Sequence, residues 1–450
     1  MTAPDAPALM SAAEAAEALA QGGLDAVTLT DACLRRIAAD ACNAWLHVDA
    51  EGALAQARAS DERRAKGRAY HPLDGIPVAV KDNIAVAGMP LTAGMQAHRG
   101  RVAVEDAHCV AKLRRAGAVI LGKTHLCEGA LGADSDNPHY GRCLNPRVPG
   151  ATAGGSSSGS AAALAAHQCL LALGSDSMGS VRIPAAYCGV VGLKPSAARV
   201  STRGLVTASR RLDHIGPMAR RVADLSAVFQ QISGLDLHDP ASRLVPLAHV
   251  ERDPVQLRVG VLGGLEALGV RGDVIAGFEQ AVARLAGLLP RRQAVSFADA
   301  DLTRWRRAGF LLMEAEMCQV HAQVLAQQPD SLSPALRELL AFPATRSAVD
   351  LAGALHRLDE AVLYGRQLFV GLDVLLMPTT PQSACDLGTA LPANQADLTA
   401  LANFAGLPAL SLPMGTAPGG RPLGLQLMGP VGSDLQLMAL GERIETLLAG

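Results

Sequence analysis

This 450-residue chain lacks an excess of either charge: 40 Lys and Arg stand against 42 Asp and Glu, a formal net charge of -2 at pH 7. Without an overall basic field nothing draws it to a phosphate backbone, so nucleic acid is not an expected partner. It also lacks an uninterrupted apolar run near the roughly 18 residues of a membrane-spanning helix. The stretch MTAPDAPALMSAAEAAEALAQGG has no basic segment and carries Asp5, Glu14 and Glu17 where a signal peptide would be apolar. The expectation is a cytoplasmic protein with no membrane association. The nine cysteines are odd in number and scattered, and nowhere form a CxxC or a Cys/His cluster of zinc spacing, which argues for reduced thiols and implies no metal.

What the chain does have is apolar residues, 49% against 18% charged, the balance of a well-buried globular protein. No internal repeat and no long Gly/Ser linker divides it, so a single large domain over residues 1–450 is expected. Residues 1–68 read as a helical lead-in. From GIPVAVKDNI onward short β-branched runs alternate with helical patterns, which argues for an α/β architecture. Residues from about 298 to 364 read as mostly helical, with RWRRAGFLLMEAEMCQVHAQVLAQ as one long amphipathic helix. The segments LDVLLMPTTP, NFAGLPALSLPMG and RPLGLQLMGP then return to strands before a closing helix.

Residues 117–124, GAVILGKT, match G-x-x-x-x-G-K-[ST] letter for letter. A phosphate loop wraps oxygens with glycine-rich backbone, whereas the interior here is Ala118, Val119, Ile120 and Leu121, itself a strand. A nucleotide-binding protein is therefore the remote alternative.

Three other pieces gain meaning together: GIPVAVKDNI with Lys81, AGGSSSGSAAA with Ser156, and GSDSMGSVRIPAAYCGVVGLKP with Ser180. Singly they are bland. A lysine ending a strand is usually exposed, a serine cluster is usually a loop or helix cap, and GSDSMGS is a plausible turn. In this order they resemble the amidase signature family, and the likeness extends collinearly through DAHCVAKLRRAGAVILGKTHL, NPHYGRCLNP, RLDHIGPMARRVADL and NFAGLPALSLPMG. Only about 240 to 370 matches loosely.

The resemblance implies an amidase signature fold: one large domain with a mixed central β-sheet covered by α-helices, residues 298–364 being the variable region where a substrate lid is expected. It makes Ser180 the nucleophile, Ser156 a serine on a cis bond after Gly155, and Lys81 the terminal base. The chemistry suits these types. A serine hydroxyl needs a base, no G-x-S-x-G motif supplies one, and lysine serves only if burial lowers its pKa toward neutrality. Ser156, donor and acceptor at once, would relay the proton. The N–H groups of Ser177, Met178, Gly179 and Ser180 would form the oxyanion hole. Asp176 and Arg182 would brace the loop, a local surface ion pair being the bland alternative, with Gly155 and Ser157 supporting. Ala130, Leu131 and Gly132 would line the acyl side of the substrate pocket.

Two positions depart from the family pattern, Met178 and Ser158 standing where glycines are usual. Met178 keeps its N–H if its φ is negative, while its side chain would narrow or reshape the pocket. His214 falls in a stretch the family uses structurally. The expected function is hydrolysis of linear amides, and on family grounds carbamates (a urethanase) or esters, through an acyl-enzyme on Ser180 with no cofactor. The glutaminase component of a tRNA-dependent amidotransferase is the alternative; it would need a permanent partner and a polar glutamine pocket. A catalytically dead binding protein is disfavoured by the presence of all three residues. The expected partner is a small molecule, and a homo-oligomer is left open.

Overall fold

The apolar runs that alternate with helical patterns become, in the computed structural model, which describes residues 3–39, 41–247 and 252–449, one mixed sheet between helical layers. Its strands are β1 (Trp45–Val48), β2 (Pro77–Lys81), β3 (Val119–Thr124), β4 (Leu171–Asp176), β5 (Val191–Lys194), β6 (His214–Ala219), β7 (Val259–Leu262), β8 (Arg292–Val295), β9 (Val374–Pro378), β10 (Ala409–Ala417) and β11 (Arg421–Met428). Their order across the sheet is β1-β3-β2-β4-β6-β5-β10-β11-β9-β7-β8. Strands β2, β3, β4, β6 and β9 are buried at every position, as expected of strands covered on both faces, which show continuous rather than alternating burial.

The helices are α1 (Ala12–Ala20), α2 (Ala26–Ala38), α3 (Ala50–Ala65), α4 (His108–Arg115), α5 (Ser158–Ala165), α6 (Arg182–Cys188), α7 (Ala223–Ile232), α8 (Gly272–Arg284), α9 (Leu302–Val320), α10 (Ala322–Gln327), α11 (Pro334–Ala341), α12 (Ala348–Leu368), α13 (Asp397–Phe404) and α14 (Asp434–Ala449). Helix α5 is buried from Ser158 through Leu164 and packs on β2 and β4; its serines, glycine and alanines allow that close approach.

Three expectations change. The lead-in is not wholly helical: Trp45–Val48 forms the edge strand β1, antiparallel to β3 with Trp45 opposite Thr124, because WLHV carries strand-favouring side chains between alanine-rich helices. The long helix of residues 304–327 breaks at His321, where α9 ends and α10 begins. GAVILGKT is not a phosphate loop: Val119–Thr124 is β3, and Lys123 Nζ donates to Asp82 Oδ1 at 2.9 Å with both side chains fully buried. The nucleotide-binding alternative falls with it. Among the described residues no helix is long and apolar enough to cross a membrane.

Strands β3, β2 and β4 run parallel and adjacent, so their carboxyl ends open on one side of the sheet. Binding sites of open α/β sheets gather beyond such ends. Lys81 ends β2, Asp176 ends β4 just before Ser180, and the chain leaving β3 reaches Ala130 within six residues.

Candidate active site

At the end of β2 the side chain of Lys81 is fully buried. Its Nζ donates to Ser156 Oγ at 2.7 Å and to Ser175 Oγ at 2.8 Å, and Asn83 Nδ2 donates to the same Ser175 hydroxyl at 3.0 Å. Among the described residues no carboxylate bonds the ammonium. Burial therefore dominates and pulls the lysine pKa from 10.5 down to about 7, against the opposing pull of Cys127, Asp213 and Asp176.

Ser156 sits on the turn entering α5, and the Gly155–Ser156 peptide bond is cis, as the resemblance implied. Glycine is required at 155 by close approach: a Cβ there would lie 2.7 Å from Cys127 Sγ and 3.0 Å from Ala133 Cα. Ser157 ties this turn to the next strand. Its N–H donates to the Ser180 carbonyl at 3.2 Å, its Oγ donates to the Ser175 carbonyl at 3.2 Å, and it accepts from the Ser175 N–H at 3.3 Å. Ser156 and Ser180 are thus brought to adjoining turns, but no hydrogen bond joins their hydroxyls.

The turn from β4 to α6 is organised by Asp176. Its Oδ1 accepts from the Gly179 N–H at 2.6 Å and its Oδ2 from the Val181 N–H at 3.2 Å. Arg182 grips the same carboxylate, Nε to Oδ2 and Nη2 to Oδ1, each at 3.0 Å, and also donates to Thr399 O, Gln426 Oε1 and Asn403 Oδ1. Both side chains are fully buried, so the surface-pair reading is wrong. Burial alone would raise the Asp176 pKa, but Arg182 and Asn403 hold it well below the usual carboxylate range.

This arrangement corrects the expected oxyanion hole. The Gly179 N–H is turned to Asp176, which leaves the N–H groups of Ser177, Met178 and Ser180 without an acceptor among the described residues. Gly179 itself has φ +128°, a conformation costly for any residue with a Cβ, and a Cβ there would lie 2.3 Å from Thr399 Oγ1. Met178 is not among the positive-φ residues, so its N–H remains usable; its carbonyl accepts from Thr399 Oγ1 at 2.6 Å.

Ser180 opens on a cavity of about 300 Å³. Ala130, Leu131 and Gly132 line it, as do Ser177 and Met178, so residues named from two separate segments meet around one space. Sequence reasoning missed the opposite wall: Arg306, Phe310 and Met313 from α9, and the loop 391–396 before α13. The first three fall in the region expected to hold a lid. It also missed Ser175 and Asp213. Asp213 Oδ1 accepts from Ser177 Oγ at 2.5 Å, and burial raises its pKa to about 6. The available signal was position, Ser175 being one residue before Asp176 at the strand end. His214 is structural as read: its ring Nδ1 pairs with the Leu212 carbonyl at 2.7 Å and burial pushes its pKa down to about 3.

A family model described as Amidase matches residues 28–438. Among curated proteins, the glutamyl-tRNA(Gln) amidotransferase A-subunit of Chloroflexus aurantiacus is 36% identical over 97% of this chain and 96% of its own. Among solved structures, the peptide amidase of Stenotrophomonas maltophilia superposes with a TM-score of 0.84 at 31% identity, over 98% of this chain and 97% of that one. The 6-aminohexanoate cyclic dimer hydrolase superposes with a TM-score of 0.87 at 28% identity, over 98% and 97%.

Proposed function

The chain belongs to the amidase family and is a C–N hydrolase, and from that premise we propose that it cleaves small amides through an acyl-enzyme on Ser180. The observation that carries this reading is the buried contact of 2.7 Å between Ser156 and a lysine whose pKa lies at about 7. A lysine so placed is uncharged in a large fraction of molecules near neutral pH and serves as a base.

Ser180 Oγ attacks the carbonyl carbon while its proton passes through Ser156 to Lys81. The oxyanion is held by the N–H groups left free at Ser177, Met178 and Ser180. The C–N bond then breaks and the relayed proton goes to the departing nitrogen. Water repeats the sequence on the ester, with Lys81 accepting its proton through Ser156 and Ser180 leaving as a hydroxyl. Carbamates and esters fit the same steps.

The identity to amidotransferase components favours a second reading, a glutaminase passing ammonia to a partner. The cavity weighs against it, since among the described residues no carboxylate lines it to hold the α-ammonium of glutamine, and most of its wall is apolar, from Leu131, Met178 and Ile183 to Phe310, Met313 and Leu391. A panel of anilides, primary amides, carbamates and esters, assayed with wild type, Lys81→Ala and Ser180→Ala, tests the proposal. Loss across the panel in both variants is expected. Hydrolysis unchanged in Ser180→Ala, or activity toward glutamine alone and only with a partner, overturns it.

A further inference from the structure

We propose that Arg306 selects substrates whose acyl portion ends in a carboxylate; this rests on the acyl-enzyme reading above and names the substrate class of that site. Among the described residues the cavity has four polar side chains, Ser177, Ser180, Arg306 and Gln395. The Ser177 hydroxyl is spent on Asp213. Gln395 Nε2 donates to the Ala133 carbonyl at 3.3 Å and to Tyr187 Oη at 3.1 Å; because a carbonyl only accepts, the amide orientation is fixed and its remaining atom is an acceptor. Among the described residues Arg306 is therefore the one charged group on the wall and the one side chain there, besides the nucleophile, with donors to spare.

Arg306 is also held in place. Its Nε donates to Asp397 Oδ1 at 2.5 Å, the two side chains being 12% and 9% exposed. The bond joins α9 to the start of α13 and fixes the plane of the guanidinium. No hydrogen bond among the described residues engages Nη1 or Nη2. A guanidinium anchored through Nε and open at both Nη groups presents a planar fork that matches a carboxylate. The apolar stretch of Phe310, Met313 and Leu131 on the same cavity suits the methylenes of a short chain between that carboxylate and the scissile carbonyl. A volume of about 300 Å³ is at the lower end for small-molecule pockets, which span about 300–1,000 Å³, so the acid is short. If Arg306 served only to staple α9 to α13, substrate charge would be irrelevant.

The test compares the mono-4-nitroanilides of succinic, glutaric and adipic acids with the 4-nitroanilides of butyric, valeric and caproic acids. In wild type the best carboxylate substrate is expected to exceed its neutral counterpart in kcat/KM by about tenfold or more, the factor a charge-assisted bond supports. In Arg306→Met that ratio collapses toward one; in Arg306→Lys, which keeps charge but loses the fork, it is intermediate. Binding of glutaric mono-4-nitroanilide and valeric 4-nitroanilide to Ser180→Ala and to Ser180→Ala/Arg306→Met, by calorimetry, separates recognition from chemistry. Equal affinity of Ser180→Ala for the two compounds, no binding of either, or a wild-type kcat/KM ratio near one overturns the inference. Preference for the acid that depends on Arg306, with neither series cleaved by wild type, upholds the carboxylate subsite and overturns the hydrolytic reading instead.

Discussion

Lys81 and Ser156 meet at 2.7 Å in a place where neither side chain has meaningful contact with solvent, at 0% and 1% exposure. An ammonium there has lost its hydration and gained only hydroxyls and a carbonyl, which is why its pKa falls to about 7. The neutral amine is the working form, so kcat/KM is expected to rise with pH through about 7 and level off above it. In Lys81→Ala that rise disappears and the rate at pH 8 falls by about 10²–10⁴, the usual contribution of a general base. A pH–rate profile on one anilide substrate reads both. A Lys81→Ala profile parallel to wild type would remove the lysine from the mechanism.

The buried pair of Asp176 and Arg182 predicts a stability effect far above that of a surface bridge. Removing one partner leaves an uncompensated charge in the core, a loss of about 3–5 kcal/mol. Arg182→Met is expected to lose that much in urea unfolding monitored by circular dichroism. Asp176→Asn removes the negative charge while keeping an oxygen near the Gly179 N–H, so it separates charge from turn geometry. Its activity is expected to fall with the stability loss, since the same carboxylate aims the turn that carries Ser180.

Met178 gives a specificity prediction. It lines the cavity beside Ser180, and its Sδ lies 3.1 Å from where a Cβ on Gly309 of α9 would stand, so the thioether fills the space between the turn and that helix. Met178→Ala is expected to widen the cavity there. Across acyl anilides of increasing chain length, the kcat/KM optimum shifts to bulkier acyl groups, with a stability cost of about 2–5 kcal/mol for an emptied methionine site. An unchanged optimum would mean that the acyl group lies elsewhere.

How much of this was legible in the sequence follows from the range of the interactions. Lys81, Ser156 and Ser180 sit in short motifs whose collinear order carries the resemblance to the amidase signature family, and GIPVAVK is apolar enough to read as a strand. The depth of Asp176 and Arg182 was not legible, because their spacing is the same on a surface loop and in a core; burial is set by Asn403 and Gln426, more than 200 residues away. The wall formed by α9 and the loop before α13 was hidden for the same reason, as was Asp397 as the anchor of Arg306. The Gly179 N–H was misassigned because the residue types of a turn do not reveal which way one amide points. Strand β8 was missed because Arg292 to Ala294 are exposed and carry no apolar pattern.

Glu314 offers a last prediction, from a group outside the reaction. It lies on α9, 4% exposed, and its Oε2 has no hydrogen-bond partner among the described residues. Burial raises its pKa from 4.5 to about 7. The folded state therefore holds this proton more tightly than the unfolded chain does, so the contribution to stability is full below about pH 4.5 and is lost as pH rises through about 7. A shift of this size corresponds to about 3 kcal/mol at most. Glu314→Gln keeps the shape and cannot ionise. Its melting temperature relative to wild type is expected to increase steadily between pH 5 and pH 8, and since every other titrating group is common to both proteins, that difference isolates the carboxylate. A difference independent of pH would mean that Glu314 reaches water and titrates normally.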